Sequence, residues 1–142
     1  MFSEDSLKEP WEARWTLTVY DNSNTEKPIW TTFYEYSGYE GGDLSDDGKY
    51  FVYLEFWYYK DYPLLKIYNN GTAINTNSLK GSNFKISPKK LVNTVSHTLW
   101  LSDTNENGFI ITSDKQISYM VTTIDKKKHF INLDKGTYFK SK

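Results

Sequence analysis

The sequence predicts an all-β fold of short antiparallel strands, and three observations carry it. Apolar and polar residues alternate with period two along most of the chain, which is the pattern of a half-buried strand. Aromatic residues, which suit a pleated surface, fill 25 of 142 positions as 5 Trp, 12 Tyr and 8 Phe. Short clusters of Gly, Asn, Asp and Ser separate the runs and supply turn chemistry.

Taken in order, Trp15, Leu17 and Val19 alternate with Arg14, Thr16, Thr18 and Tyr20 until Asp21-Asn22-Ser23-Asn24 breaks the run. Pro28 precedes a strand over Ile29–Tyr36, rich in Thr, Trp, Phe and Tyr. A long acidic loop follows, punctuated by Gly38, Gly41, Gly42 and Gly48. Lys49–Tyr59 is apolar on both parities apart from Glu55, which predicts one central strand covered on both faces. Lys60-Asp61-Tyr62-Pro63 turns the chain into a strand over Leu64–Tyr68. Asn69-Asn70-Gly71 signals a hairpin, since Asn and Gly tolerate the positive φ of a type I′ turn. Short strands are expected around Ala73–Ile74, Phe84–Ile86, Phe109–Thr112, Gln116–Ile124 and His129–Leu133. Turns fall at Asn107-Gly108, Ser113-Asp114-Lys115 and Asp125–Lys128.

Ser87-Pro88-Lys89-Lys90 also fits a helix start, with Ser87 as N-cap and Pro88 at the first turn. The following Asn93–Thr98 is poor in helix formers, so a strand is preferred there. Leu44-Ser45-Asp46-Asp47-Gly48-Lys49 is echoed by Ile86-Ser87-Pro88-Lys89-Lys90, an offset that falls within the roughly 40–45 residues of a propeller blade. Closed propellers normally need at least about four blades. The expected architecture is therefore an open, partial-propeller-like stack of antiparallel sheets, or a β-sandwich with similar turns.

Length fits one domain spanning 1–142. No apolar run approaches the roughly 20 residues of a membrane span. No charged segment followed by an apolar one marks the start as a secretory leader, so a cytoplasmic protein is expected. Zero cysteines exclude disulfides, thiolate nucleophiles and sulfur-based zinc sites. The formal net charge of −1 conceals two opposed halves. Residues 1–71 carry 13 acids and 6 bases, a balance of −7, while residues 72–142 carry 5 acids and 11 bases, a balance of +6. Such halves either attract each other within the fold or present an acidic face to a basic partner.

His97 and His129 are the only histidines and have no metal-ligand spacing, so each is read as a polar or half-buried strand residue. No nucleophile elbow, phosphate loop or dinucleotide fingerprint occurs. Glu35 and Glu55 are the best candidates for a carboxylate pair. No enzyme activity, cofactor or metal is expected. Asp103-Thr104-Asn105-Glu106-Asn107-Gly108 resembles the first half of a calcium loop, but a hairpin turn explains the same residues. Lys126–Lys128 and the lysines of the C-terminal tail read as a basic surface, with nucleic acid not an expected partner. No membrane partner is expected either.

Two groups of residues stand out as candidates for binding. Tyr36 and Tyr39 belong to one aromatic cluster and Trp57, Tyr59 and Tyr62 to another. Rings in a strand alternate faces, so some lie outside the core, where Tyr and Trp supply contact area at low entropic cost. Glu40, Asp43, Asp46 and Asp47 form the acidic loop and suit a basic partner. The loop and Tyr62 sit at opposite ends of the Lys49–Tyr59 strand, roughly 35 Å apart at ~3.3 Å per residue.

Small size, ring-rich strands such as LSDDGKYFVYLEFWYY and an acidic loop make the chain resemble, in general type, bacterial immunity proteins of contact-dependent growth inhibition pairs. The resemblance implies 1:1 binding to a cognate protein toxin, such as a basic nuclease domain, by covering its active site. The alternative is a carbohydrate-binding β-module that uses exposed Trp and Tyr as stacking platforms.

Overall fold

The computed structural model describes residues 2–3, 14–34, 42–55, 57–58, 63–95, 98–102 and 106–139. In chain order its strands are β1 (Phe2–Ser3), β2 (Trp15–Asp21), β3 (Asn24–Tyr34), β4 (Asp43–Leu44), β5 (Tyr50–Leu54), β6 (Trp57–Tyr58) and β7 (Leu65–Asn69). They continue as β8 (Thr72–Ala73), β9 (Val92–Asn93), β10 (Thr98–Leu99), β11 (Gly108–Ile111), β12 (Ile117–Thr122), β13 (Lys128–Asn132) and β14 (Thr137–Phe139). A 3-10 turn over Gly81–Phe84 is the one helical piece among the described residues. The fold is all-β, in four antiparallel sheets ordered β1-β2-β3, β4-β5-β7-β8, β6-β10-β9 and β11-β12-β13-β14, none closed into a barrel.

The β4-β5-β7-β8 sheet lies between two cores, because its central strands are apolar on both parities. Tyr50, Val52, Leu65 and Ile67 face one core with Leu79, Phe84, Trp100, Tyr119, Val121 and Ile131. Tyr53 and Tyr68 face the other, against Val19, Trp30 and Tyr34 of the β2–β3 hairpin. The double coverage expected of the Lys49–Tyr59 segment is found over Tyr50–Leu54, but the single long strand is not. β5 ends at Leu54, and the next pair of residues joins a different sheet, with Leu99 opposite Trp57. The break has a local cause. The Glu55 amide still bonds the Leu64 carbonyl at 2.9 Å, but the Glu55 carbonyl is taken by the indole N–H of buried Trp100. With its acceptor committed to a side chain, the ladder stops and the chain crosses over.

Other expectations need correction. Phe84–Ile86 is not a strand: Phe84 closes the 3-10 turn, and Lys85 follows at φ 49°. The turn plants the Phe84 ring against Trp100 at 5.3 Å, His129 at 5.0 Å and Tyr138 at 5.7 Å. Ser87–Lys90 forms a turn, with the Lys90 amide bonded to the Ser87 carbonyl at 2.9 Å, and leads to the short β9–β10 hairpin. Gly108 opens β11 instead of making a turn. The part of the acidic loop that is described is not a loop throughout, since Asp43 and Leu44 pair with Val52 and Phe51. At Asn70-Gly71 the predicted type I′ turn is present, with φ of 47° and 79°.

Two of the sheets are four-stranded meanders, the form of a propeller blade. The unit that recurs at their turns is smaller than the expected repeat. In Ser45-Asp46-Asp47-Gly48, Thr112-Ser113-Asp114-Lys115 and Thr123-Ile124-Asp125-Lys126 a hydroxyl donates to the carboxylate two residues on. The fourth residue then turns left-handed, at φ 70°, 63° and 65°. Each fourth amide bonds the first carbonyl at 2.8 Å. Such a type I turn closed by a left-handed residue matches the twist of the flanking strands.

The turn after β13 is more tightly constrained. A Cβ on Gly136, at φ 61°, would sit 2.4 Å from the Asn75 backbone oxygen. Gly136→Ala is expected to cost at least about 2 kcal/mol in urea unfolding. Gly48→Ala, which meets only the end of the Ile29 side chain at 3.0 Å, should cost about 1 kcal/mol.

His129 is 8% exposed and lies under the β12–β13 turn, its Nε2 3.2 Å from Thr123 Oγ1. That hydroxyl commits its one proton to Asp125, so the neutral ring donates from Nε2. Burial pushes His129 below its ordinary value, reinforced by Lys127 and opposed by Asp125. The unfolded chain therefore binds the proton more readily, and stability contributed by the neutral ring is lost as pH falls below about 6.5. Thermal midpoints should decline from pH 7 toward pH 5, and His129→Phe should flatten that decline.

Candidate functional site

A polar cleft of about 230 Å³ opens where the β4–β5 turn meets the ends of β12 and β13. Its walls include Asp47, Lys49 and Tyr50 from one sheet and Gln116, Asn132 and Asp134 from another. Each wall is fixed locally. Ser45 Oγ donates to Asp47 Oδ1 at 2.6 Å, and the Lys49 amide donates to the same oxygen at 3.0 Å. These bonds, that from Ser45 first, hold the Asp47 carboxyl below its ordinary value. The indole of Trp30 donates to the Gly48 carbonyl at 2.7 Å and pins the turn to the β2–β3 hairpin.

Across the cleft, Asp134 sits in the β13–β14 turn. Its Oδ1 accepts from the Tyr50 hydroxyl at 2.6 Å and from Asn69 Nδ2 at 3.1 Å. Its other oxygen has no partner among the described residues. Burial, and then the bond to Asp134, push the Tyr50 phenol upward, so it remains a neutral donor. Lys49 Nζ lies 4.5 Å from the Tyr50 ring centre and 4.0 Å from Asp134. Beside the cleft, the hydroxyl of fully buried Tyr119 donates to Asp43 Oδ2. Burial and that carboxylate hold the Tyr119 phenol well above its ordinary value. Asp114, in the β11–β12 turn, flanks Gln116 at the same end of the sheet.

Among the predicted binding residues, Asp43, Asp46 and Asp47 therefore share one end of the fold, joined by Asp114 and Asp134 from the basic half of the sequence. Asp46 is exposed. Trp57 is placed in β6 by its backbone. Glu40, Tyr36, Tyr39, Tyr59 and Tyr62 lie outside the described residues, as do Glu35 and His97. The sequence did not single out Asp134, because an Asn-x-Asp turn has no distinguishing feature until Tyr50 and Asn69 are brought to it.

Among the described residues Trp30, Tyr34, Tyr50, Tyr53, Tyr68, Phe84, Trp100 and Tyr119 are buried in the two cores. The exposed rings among the described residues are Phe33, Tyr20 and Phe139, at 70%, 46% and 36%. No group of three metal-ligating side chains occurs among the described residues. In the calcium-like segment, residues 103–105 lie outside them, and Asn107 Oδ1 is taken by the Thr122 amide at 2.8 Å. No helix of the described residues is long and apolar enough to cross a membrane. No protein-family model, curated protein or solved structure matches the chain.

Proposed function

We propose that the chain is an immunity protein that binds the basic nuclease domain of a cognate toxin 1:1 and covers its active site. The observation that carries this reading is the convergence of Asp43, Asp46, Asp47, Asp114 and Asp134 on the end of the fold that holds the cleft, where the Ser45 and Thr112 hydroxyls hold the Asp47 and Asp114 carboxyls below their ordinary value. A nuclease groove is basic because it binds phosphates, and surface carboxylates offer it acceptors of the same charge. Pre-formed turns lower the ordering cost of binding, while charge complementarity raises the association rate. A nanomolar complex needs about −12 kcal/mol and an interface of roughly 1,600 Å². The cleft is smaller than that and would be its centre, receiving a lysine or arginine between Asp47 and Asp134. For the carbohydrate-binding alternative, the described Trp15, Trp30 and Trp100 are half-buried or buried, which leaves Tyr20, Phe33 and Phe139 as the exposed described rings.

The test is capture with tagged full-length protein, followed by kinetics on the partner recovered. One stoichiometric, basic, nuclease-like protein is expected. Asp46→Lys combined with Asp134→Asn should slow association at low salt at least about tenfold. Lys89→Glu with Lys90→Glu, at the other end of the fold, should not slow it. An unchanged rate in the first variant rejects this face as the binding site.

A further inference from the structure

At the other end of β12 the charge reverses. Lys126, Lys127 and Lys128 are exposed at the β12–β13 turn. Asp125 draws a second basic turn against this one, its Oδ2 accepting from the Ser87 amide at 3.3 Å. Lys89 and Lys90, also exposed, are thereby brought to the same end. Among the described residues, these five lysines stand against two carboxylates that are already engaged. The Asp125 side chain is 6% exposed and pairs with Lys127 at 2.9 Å, and Glu106 pairs with Lys128 at 3.4 Å.

From Lys90 the chain passes into the β9–β10 hairpin, closed by the Thr98 hydroxyl on Asn93 Oδ1 at 2.7 Å. The strand that leaves this hairpin pairs antiparallel with the basic turn. Leu101 lies opposite Thr123, and the Ile124 amide bonds the Trp100 carbonyl at 2.7 Å. The hairpin therefore projects beyond the lysines on the same side. It carries Val92, 49% exposed, and Val95, which is completely exposed at 108%.

Lysines alone suit any polyanion. Two projecting valines do not, because a phosphate backbone leaves them in water. An anionic bilayer rewards both features, since ammonium groups sit over the phosphates while apolar tips enter the headgroup boundary. We infer that this pole docks on an anionic lipid surface, Val92 and Val95 entering the headgroup boundary and the two lysine turns lying above the phosphates. No membrane partner is expected from a chain without a spanning run, but surface docking needs none. The lysine pairs lie far apart in the chain until Asp125 joins them.

The test is co-sedimentation of the full chain with vesicles of phosphatidylcholine alone or with about one-third phosphatidylserine. Binding is expected only to the anionic vesicles and should fall with added salt. Lys89→Glu with Lys90→Glu should weaken it at least about 25-fold, roughly fivefold for each lysine lost. Val95→Asp should weaken it about tenfold. Both changes are at exposed positions, and unaltered melting curves would show that the fold is intact. Failure to bind anionic vesicles, or binding indifferent to Val95→Asp, overturns the inference. Tighter binding to a DNA duplex or to single-stranded RNA that ignores Val95→Asp overturns it equally, making the pole a nucleic-acid face.

Discussion

Replacing Trp100 with alanine is expected to destabilise the protein by about 3–5 kcal/mol, the largest effect of any single substitution in the core. Trp100 is completely buried and packs edge-on against Phe84 with ring centres 5.3 Å apart. Its loss leaves a cavity in the larger of the two cores. It also removes the indole N–H that donates to the Glu55 carbonyl. Loss of that hydrogen bond adds about 0.5–1.5 kcal/mol to the cavity cost. Against a total stability of about 5–15 kcal/mol, the variant should be partly unfolded at physiological temperature. Urea unfolding monitored by circular dichroism measures the effect. Trp100→Phe, which keeps much of the volume and loses the N–H, should fall between the two. A loss below about 1.5 kcal/mol for the alanine variant would mean that the β5–β6 crossover does not depend on this side chain.

Asp125→Ala is expected to cost at least about 2 kcal/mol and to separate the two basic turns. Its carboxylate accepts from the Thr123 hydroxyl at 2.6 Å and the Ser87 amide at 3.3 Å, and pairs with Lys127 at 2.9 Å. Hydrogen bonds to charged groups contribute about 1.5–3 kcal/mol each. Burial pushes this carboxyl upward, but the bonds from Thr123, Lys127 and Ser87 outweigh burial and hold it at about 2. The folded form thus keeps the group ionised where the unfolded chain would protonate it. Its contribution is complete above the unfolded value of about 3.8 and is lost as pH falls through about 2. Asp125→Asn should lack that acid step while retaining the His129 decline at higher pH. If Asp125 also organises the lipid-docking pole, the alanine variant should bind anionic vesicles less well than its remaining folded fraction predicts.

The local chemistry of the candidate site was legible and its composition was not. Ser45-Asp46-Asp47-Gly48 reads directly as a turn with an ionised carboxylate on it. The same chemistry at Thr112–Lys115 and Thr123–Lys126 was obscured because lysine occupies the left-handed position where glycine is usual. The turn at Ser87 shares the serine and the backbone bond but has no carboxylate, so the longer Leu44–Lys49 echo paired the wrong segments. Asp134 became visible only through Tyr50 and Asn69, and the Tyr119 bond to Asp43 links strands far apart in the chain. Interactions of this kind have no periodic signature.

Alternation and backbone preference act over a few neighbouring residues, so the all-β class, most strand positions and the hairpin chemistry at Asn70-Gly71 are readable from the letters alone. So is the double coverage of the central strand, since Tyr50–Leu54 is apolar on both parities. Only the tertiary structure decided where the long apolar run breaks, because that depends on an indole forty-five residues away taking the Glu55 carbonyl. It decided likewise that Phe84 sits in a 3-10 turn, where ring packing against Trp100 and His129 outweighs strand propensity. The division of charge into an acidic and a basic pole was settled the same way. Halves of opposite sign were plain in the letters, but antiparallel pairing through β12 carried Asp114 and Asp134 to one end and the lysine turns to the other.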